Sequence, residues 1–355
     1  MPEIDHLPGR TLVTEDGREY LFCSGTGYLG IARNPEFAVL LTEGLLRYGT
    51  NYSSSRHSNL RLRVFDEAEA YLAAYTGAEA AVTVSSGYLA GQMAVAALRG
   101  TGEFAYAPGT HPAAWLADSP DTAPAGTHRD WASRLLQELH SGAEAATVIV
   151  SNSLDPLRLE PCDFGWTREL PTHKPLTLLI DDSHGFGITG PDGAGIFSQL
   201  QVPANVRVVV VSSMGKALGI PGGVVLSDAA FITRLRSQGF FGASSPIPPA
   251  YLWAFLEAQQ VYRLARQRLA RNVAQFAAGT AGPGLFRALP DFPVFYTPAN
   301  ELCAFLEARD VLISSFSYPT PADACITRVV LNALHTTADV ERLTELVREF
   351  ARQRA

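Results

Sequence analysis

Two stretches near the middle of the chain carry residue types that could do chemistry. In TLLIDDSHGFG an apolar run ends at Asp181, and His184 follows in a glycine-rich turn. In VVVVSSMGKALGIPGG a second apolar run ends at Ser213, and Lys216 follows three residues later. A carboxylate, an imidazole and an amine in one crevice suit imine chemistry on an aromatic aldehyde. The amine forms the imine and must spend time unprotonated to do so. A buried carboxylate against a pyridine nitrogen keeps that nitrogen protonated and the ring electron-poor. Pyridoxal 5'-phosphate (PLP) is the cofactor these groups fit. Its phosphate calls for hydroxyls and backbone N–H groups at a helix start. Ser213 offers one, and Ser86, Gly87 and Tyr88 of SSGYLAG offer the rest.

Taken singly, each residue has an ordinary explanation. Loop lysines are mostly solvated, aspartates cap helices, and a histidine can sit satisfied in a core. Spacing removes two rival chemistries. A phosphate-binding loop GxxxxGK[ST] fails because Ala217 follows Lys216 and no glycine stands five residues before Gly215. The nucleophile elbow GxSxG is absent. The four cysteines, Cys23, Cys162, Cys303 and Cys325, form no CxxC pair. They are expected to be reduced and mostly buried thiols, with no metal site.

The elements around these motifs must bring them together. Thr147–Ser151, Thr177–Asp181 and Val206–Ser213 are short, β-branched and apolar on both faces, as strands buried between helical layers should be. Their starts lie about thirty residues apart, the length of a βαβ unit. In such a sheet ligands gather beyond the carboxyl ends of the strands, where Asp181 and Ser213 stand. Upstream, DGREYLF reads as a hairpin arm, and Pro35 to Tyr75 as helix interrupted by the polar loop GTNYSSSRHSN. Downstream, Ala250–Phe276 reads as one long helix. Short strands follow at Pro293–Tyr296, Val311–Ser315 and Arg328–Leu331, with helices at Glu301–Arg309 and Ala338–Ala351. The expected organisation is an N-terminal segment over 1–34, a large PLP-binding domain over 35–239, and an interdomain helix with a small α/β domain over 240–355.

Composition agrees with a globular enzyme. The chain has 355 residues, enough for two lobes, with 47% hydrophobic and 18% charged residues. A net charge of −7 without a basic stripe argues against nucleic acid as a partner. The start MPEIDHLPGR lacks a secretory signal, and no apolar window reaches the ~18 residues of a membrane span. A cytoplasmic location is expected.

In order along the chain, GYLGIARNP, SSSR, SSGYLAGQ, IDDSHGFGITGPDGAG, SSMGKALGIPGG, SSPIPPA and TRVVLNALHT together resemble the α-oxoamine synthase family of fold-type-I PLP enzymes. The resemblance implies a mostly parallel central sheet sandwiched by helices, with a smaller α/β C-terminal domain. It implies a PLP-dependent acyltransferase that condenses an amino acid with an acyl-CoA or another acyl thioester, with loss of CO2. Lys216 would hold PLP as a Schiff base, Asp181 would face the pyridine nitrogen, and His184 would neighbour the phenolic oxygen. His111 would stack on the ring, and Ser153 would belong to the cofactor site. Ser213 and Ser245 would reach the phosphate, Ser245 from the second copy of a homodimer. Arg328 would grip the substrate carboxylate. Other fold-type-I activities, an aminotransferase or an aldol-type lyase, share Lys216 and Asp181, and so would a PLP-binding protein without catalysis.

The sequence departs from the family pattern at the substrate rim. The family's asparagine before YLG is Gly27 here, and the glycine of its glycine-serine-arginine motif is Ser54. SNSLDPLRLEPCDFG keeps Ser153 and Asp155 without the family's acidic residue and methionine. The family's N-terminal helix at the thioester entrance has no counterpart. An intact cofactor site with an altered substrate pocket is the expectation.

Overall fold

A computed structural model describes residues 3–116, 126–142, 145–157, 159–282, 284–317 and 322–354. The chain opens with the antiparallel hairpin β1 (Thr11–Val13) and β2 (Glu19–Cys23), followed by α1 (Pro35–Tyr48) and α2 (Arg63–Thr76). Six strands and the helices between them come next. They are β3 (Ala80–Val84), α3 (Gly87–Leu98), β4 (Glu103–Tyr106), α4 (His128–Ser141), β5 (Thr147–Asn152), β6 (Leu176–Asp181), β7 (Val206–Ser213) and β8 (Gly223–Ser227). Helices α5 (Ala229–Arg236), α6 (Gly239–Ala243), α7 (Pro249–Glu257) and α8 (Gln259–Thr280) lead to the last third. There β9 (Arg287–Ala288), β10 (Val294–Thr297), α9 (Glu301–Glu307), β11 (Val311–Ser317), β12 (Cys325–Val330) and α10 (Thr337–Arg354) complete the fold.

Two compact units result. One holds residues 39–155 and 160–259, the other 1–38, 156–159 and 260–355. The large unit's sheet has the order β3-β8-β7-β6-β5-β4. Strands β4 to β7 run parallel, and β8 runs antiparallel to both β7 and β3. Every residue of β6 is buried, which is why its sequence is apolar apart from Thr177 and the terminal Asp181. Met93, Ala94 and Ala97 of α3 pack with Val84, Val150, Leu179 and Val209 in one core. The small unit's sheet has the order β1-β2-β11-β12-β10-β9, with β2 and β11 parallel.

The sequence pattern places the lobe change at Gly239, whereas the units divide at Gln259. Helix α7 explains the difference. Its apolar residues Leu252, Ala254 and Phe255 are buried, and Phe255 meets Tyr71 of α2 edge-on at 5.6 Å. The long helix expected over Ala250–Phe276 is interrupted at Ala258. The thiols also differ from expectation: only Cys23 is buried, Cys162 and Cys303 are half-buried, and Cys325 is exposed. Cys325 opens β12 opposite Ser317, at the solvent end of its ladder. Among the described residues no helix is long and apolar enough to cross a membrane.

The polar loop before α2 is anchored by a buried charge cluster. The Glu69 side chain, 3% exposed, takes both guanidinium nitrogens of Arg56 at 2.9 and 3.1 Å. It also accepts from Arg236, from the Thr83 backbone N–H and from the Thr83 hydroxyl. Arg56 lies 4.1 Å above the Phe65 ring. Removing one partner leaves the others charged in a dry site, at a cost of about 3–5 kcal/mol. Glu69→Ala is expected to lower unfolding free energy in urea by about that amount, with an unchanged far-ultraviolet spectrum at low denaturant.

Candidate active site

Strand register aligns the first groups. Asn152 of β5 stands beside Asp181 of β6, and Asp181 beside Val211 of β7. Chain reversal from parallel β7 into antiparallel β8 then creates the lysine loop. Ser213 pairs with Gly223, and the Met214 N–H donates to the Gly222 carbonyl at 2.9 Å. Inside this closure the Gly219 N–H donates to the Lys216 carbonyl. Gly219 (φ 66°) and Gly222 (φ 137°) adopt backbone angles that side chains disfavour, which accounts for the glycine-rich sequence around the lysine.

Helix α3 supplies the next groups. The Ser86 hydroxyl caps it by accepting from the Leu89 N–H at 3.1 Å. A Cβ on Gly87 would lie 2.6 Å from the Ser213 Cβ, so this helix start touches the end of β7. The Ser213 hydroxyl accepts from the Gly215 N–H at 3.1 Å. A helix N-terminus, two hydroxyls and a glycine with no side chain in the way make a cradle for a phosphate group. Tyr88 points outward at 58% exposure. Ser245, beyond α6, is exposed.

His111 arrives on the loop after β4. Asn152 pins that loop: its side chain accepts from the His111 N–H at 3.1 Å and donates to the Gly109 carbonyl at 2.7 Å. Gln92 of α3 holds the following turn through the carbonyls of Pro112, Ala113 and Trp115. The imidazole Nδ1 accepts from the Ala113 N–H and lies 3.8 Å from an Asp181 oxygen. Burial lowers the His111 pKa, and Lys216 lowers it further against the pull of Asp181. Burial thus favours the neutral form of the ring beside Asp181.

Asp181 itself is 8% exposed and accepts from the Ser183 N–H at 2.9 Å. Burial also lowers the Lys216 pKa, with Asp181 acting in the opposite sense. Amine, carboxylate and imidazole thus feel one another within the large unit. His184 is half-buried in the turn after β6. That turn is tied to β7, because the Ser183 hydroxyl accepts from the Ser213 N–H at 2.9 Å.

Ser153 takes a different position from the one the family pattern suggests. Its backbone N–H donates to the Asp181 carbonyl at 2.9 Å. Its hydroxyl, however, has no exposed surface and turns toward the carboxyl of Asp182. An atom already sealed from solvent cannot touch a ligand without moving. The Ser153 hydroxyl is thus directed away from solvent, while the residue as a whole is half-buried. Sequence reasoning missed Asn152, Ser183 and Asp182 as supports. The first ends a strand that was read one residue short, and the second stands inside the Asp181–His184 motif, where only its flanking residues were assigned a task. Asp182 is the unremarked half of a visible Asp–Asp pair.

Gly27 and Arg328 belong to the other unit. A Cβ on Gly27 would meet nothing within 4 Å, so the family's asparagine has room there. Arg328 on β12 is 6% exposed and donates to the Pro156 carbonyl at 2.5 Å. Its guanidinium carbon lies 5.9 Å from the Phe316 ring centre.

The cofactor inferred from the residues fits this arrangement: a sequestered amine, an adjoining carboxylate, a neutral ring and a phosphate cradle. Comparison with known proteins gives the same answer. Residues 168–347 match the family described as Aminotransferase class I and II. An 8-amino-7-oxononanoate synthase of Pseudomonas aeruginosa is 30% identical over 99% of this chain and 90% of its own. A serine palmitoyltransferase from S. paucimobilis, solved with a bound PLP–myriocin aldimine, superposes with TM-score 0.81 at 18% identity, covering 99% of this chain and 92% of that one. An 8-amino-7-oxononanoate synthase structure from Francisella tularensis gives TM-score 0.69 at 18% identity, over 94% and 98% of the two chains. The chain belongs to the α-oxoamine synthase family, PLP-dependent acyltransferases of the aminotransferase class I and II fold.

Proposed function

We propose that the enzyme joins a small amino acid to an acyl thioester and releases CO2, and that the residues above divide the work as follows. The observation that carries this reading is the set of Lys216, Asp181 and His111, which influence one another electrostatically, with half-buried Lys216 and His111 around the buried Asp181. When bound, PLP supplies an electron sink for the carbanion at the amino acid's α-carbon. Lys216 Nζ would hold the cofactor covalently and, once displaced by substrate, accept the α-proton. Burial favours the neutral amine that this task needs. Because the shift is downward, the basic form persists to lower pH than in a solvated lysine and is lost as pH falls through the depressed value.

Asp181 would hold the proton of the pyridine nitrogen, and His111 would cover the ring as a neutral face. His184 would neighbour the phenolic oxygen. Ser86, Gly87 and Ser213 would bind phosphate at the start of α3. Arg328 would take the substrate carboxylate in a two-pronged contact, an assignment supported by its burial and its fixed guanidinium. The amino-acid and acyl specificities are read as unusual because Gly27 and Ser54 alter the substrate rim.

We also infer a homodimer. Val39 and Leu46 lie seven residues apart on α1, hence on one face, and are 60% and 84% exposed. Leu60, Tyr88 and Phe240 of the same unit are exposed as well. Apolar groups left in water on this scale suit contact with a second copy, and exposed Ser245 is free to serve the other copy's phosphate.

Four measurements test these assignments. Incubation with acyl-CoA should release free thiol only when an amino acid is added; thiol release without one, or none with any amino acid, counts against the reaction. Lys216→Ala should lose the visible absorbance of lysine-bound cofactor and the borohydride-fixed label. Asp181→Ala should keep that label while slowing turnover by a factor corresponding to about 3 kcal/mol; near-normal turnover would reject the Asp181 role. Light scattering of the purified protein should give twice the mass of one chain.

A further inference from the structure

Asp182 follows Asp181 directly and is 1% exposed. One carboxyl oxygen, Oδ2, accepts from the Ile196 N–H at 2.9 Å. The other, Oδ1, is buried without a hydrogen-bond partner, and so is the Ser153 hydroxyl, which acts on this carboxyl. The space around the carboxyl is closed by two glycines. A Cβ on Gly185 would lie 2.2 Å from Oδ1, and one on Gly195 would lie 2.1 Å from Oδ2. The backbone is held as firmly: the Asp182 N–H donates to Val211, and its carbonyl receives the N–H groups of Gly185 and Phe186. Gly185, Gly195 and the Ile196 N–H, from the turn that also carries His184, thus close on this one side chain.

We propose that Asp182 is a positioning residue whose uncharged carboxyl, clamped between Ser153 and the Ile196 N–H, holds Asp181 and His184 in their working places. Geometry carries the neutral form. The carboxyl makes no ion pair among the described residues, and the one charge acting on it is the like charge of Asp181. The other groups against it are the Ser153 hydroxyl, the Ile196 N–H and the backbone at Gly185 and Gly195, none of which titrates. A buried acid in such surroundings keeps its proton. Burial accordingly pushes the Asp182 pKa up to about 7. With its proton on Oδ1, the acid can donate to the Ser153 hydroxyl while Oδ2 receives Ile196. Both stranded groups are then satisfied.

The consequence for stability has a definite sign. The folded value lies above the ordinary carboxyl value of 3.8, so the folded chain binds the extra proton between those two values. Stability falls as pH rises through that window and levels off above it. Asp182→Asn keeps the shape, donates an N–H to Ser153 and cannot ionise. Asp182→Ala removes both contacts.

The proposal rests on the reading of Asp181 and His184 as cofactor-contacting groups, but its first test does not. In cofactor-free protein, the melting temperature of Asp182→Asn minus that of the parent should grow from pH 5 to pH 8. Parallel curves would overturn the neutral acid even if the enzyme proved to be an acyltransferase. The second test uses the holoenzyme. Asp182→Asn should lose no more than about 3-fold in kcat, and Asp182→Ala about 30-fold, with the amino-acid KM changed little; a 30-fold loss corresponds to ~2 kcal/mol at the transition state. The parent's kcat should decline on the alkaline side through the titration of Asp182, and that limb should move in Asp182→Asn. Equal losses in the two variants, or an unmoved limb, would reject the positioning role.

Discussion

The register of β5, β6 and β7 is the constraint on which the rest depends. Side chains alternate faces along a strand, so a slip of one residue would send Asp181 to the opposite side of the sheet. The pairing of Asn152 with Asp181, and of Asp181 with Val211, prevents this. It sets the carboxylate level with the asparagine that fixes His111 and one step before the serines that begin the lysine loop. Buried apolar side chains on both faces of β6 make that register costly to change. Chemistry at the strand ends thus inherits its accuracy from packing in the middle of the sheet.

A second unifying influence is the removal of water. One cause acts on three groups with different outcomes, because burial penalises whichever form is charged. It makes Lys216 and His111 readier to be neutral and Asp182 readier to keep its proton. Asp181 differs from its neighbour in having an amine and an imidazole nearby. Two adjacent aspartates on one strand end therefore sit in different environments.

Much of this was legible beforehand, for physical reasons. Unbroken β-branched runs announce strands buried on both faces, and β5, β6 and β7 fall within a residue of where the pattern places them. The motifs at Asp181 and Lys216 were visible because glycine-rich turns stand out after such runs. Less local features were hidden. Nothing in a single sequence says that the Ser153 hydroxyl turns inward, since that depends on the neighbouring strand's Asp182. Where the compact units divide was hidden because helical periodicity shows an apolar face without showing what covers it, and α7 packs on α2. The thiols were expected to be mostly buried, but Cys325 occupies the exposed start of a strand.

The parallel pairing of β2 with β11 bears on how the chain is made. Leu21 sits beside Val311, and Phe22 beside Leu312, so partners in one ladder are about 290 residues apart in sequence. A ribosome adding ~5–20 residues each second leaves the first strand waiting roughly 15–60 s for its neighbour. During that interval Tyr20, Leu21 and Cys23, all buried in the finished fold, have no sheet to join. The amino-terminal hairpin is thus the segment most in need of a holding chaperone during synthesis, and the last part of the molecule to mature.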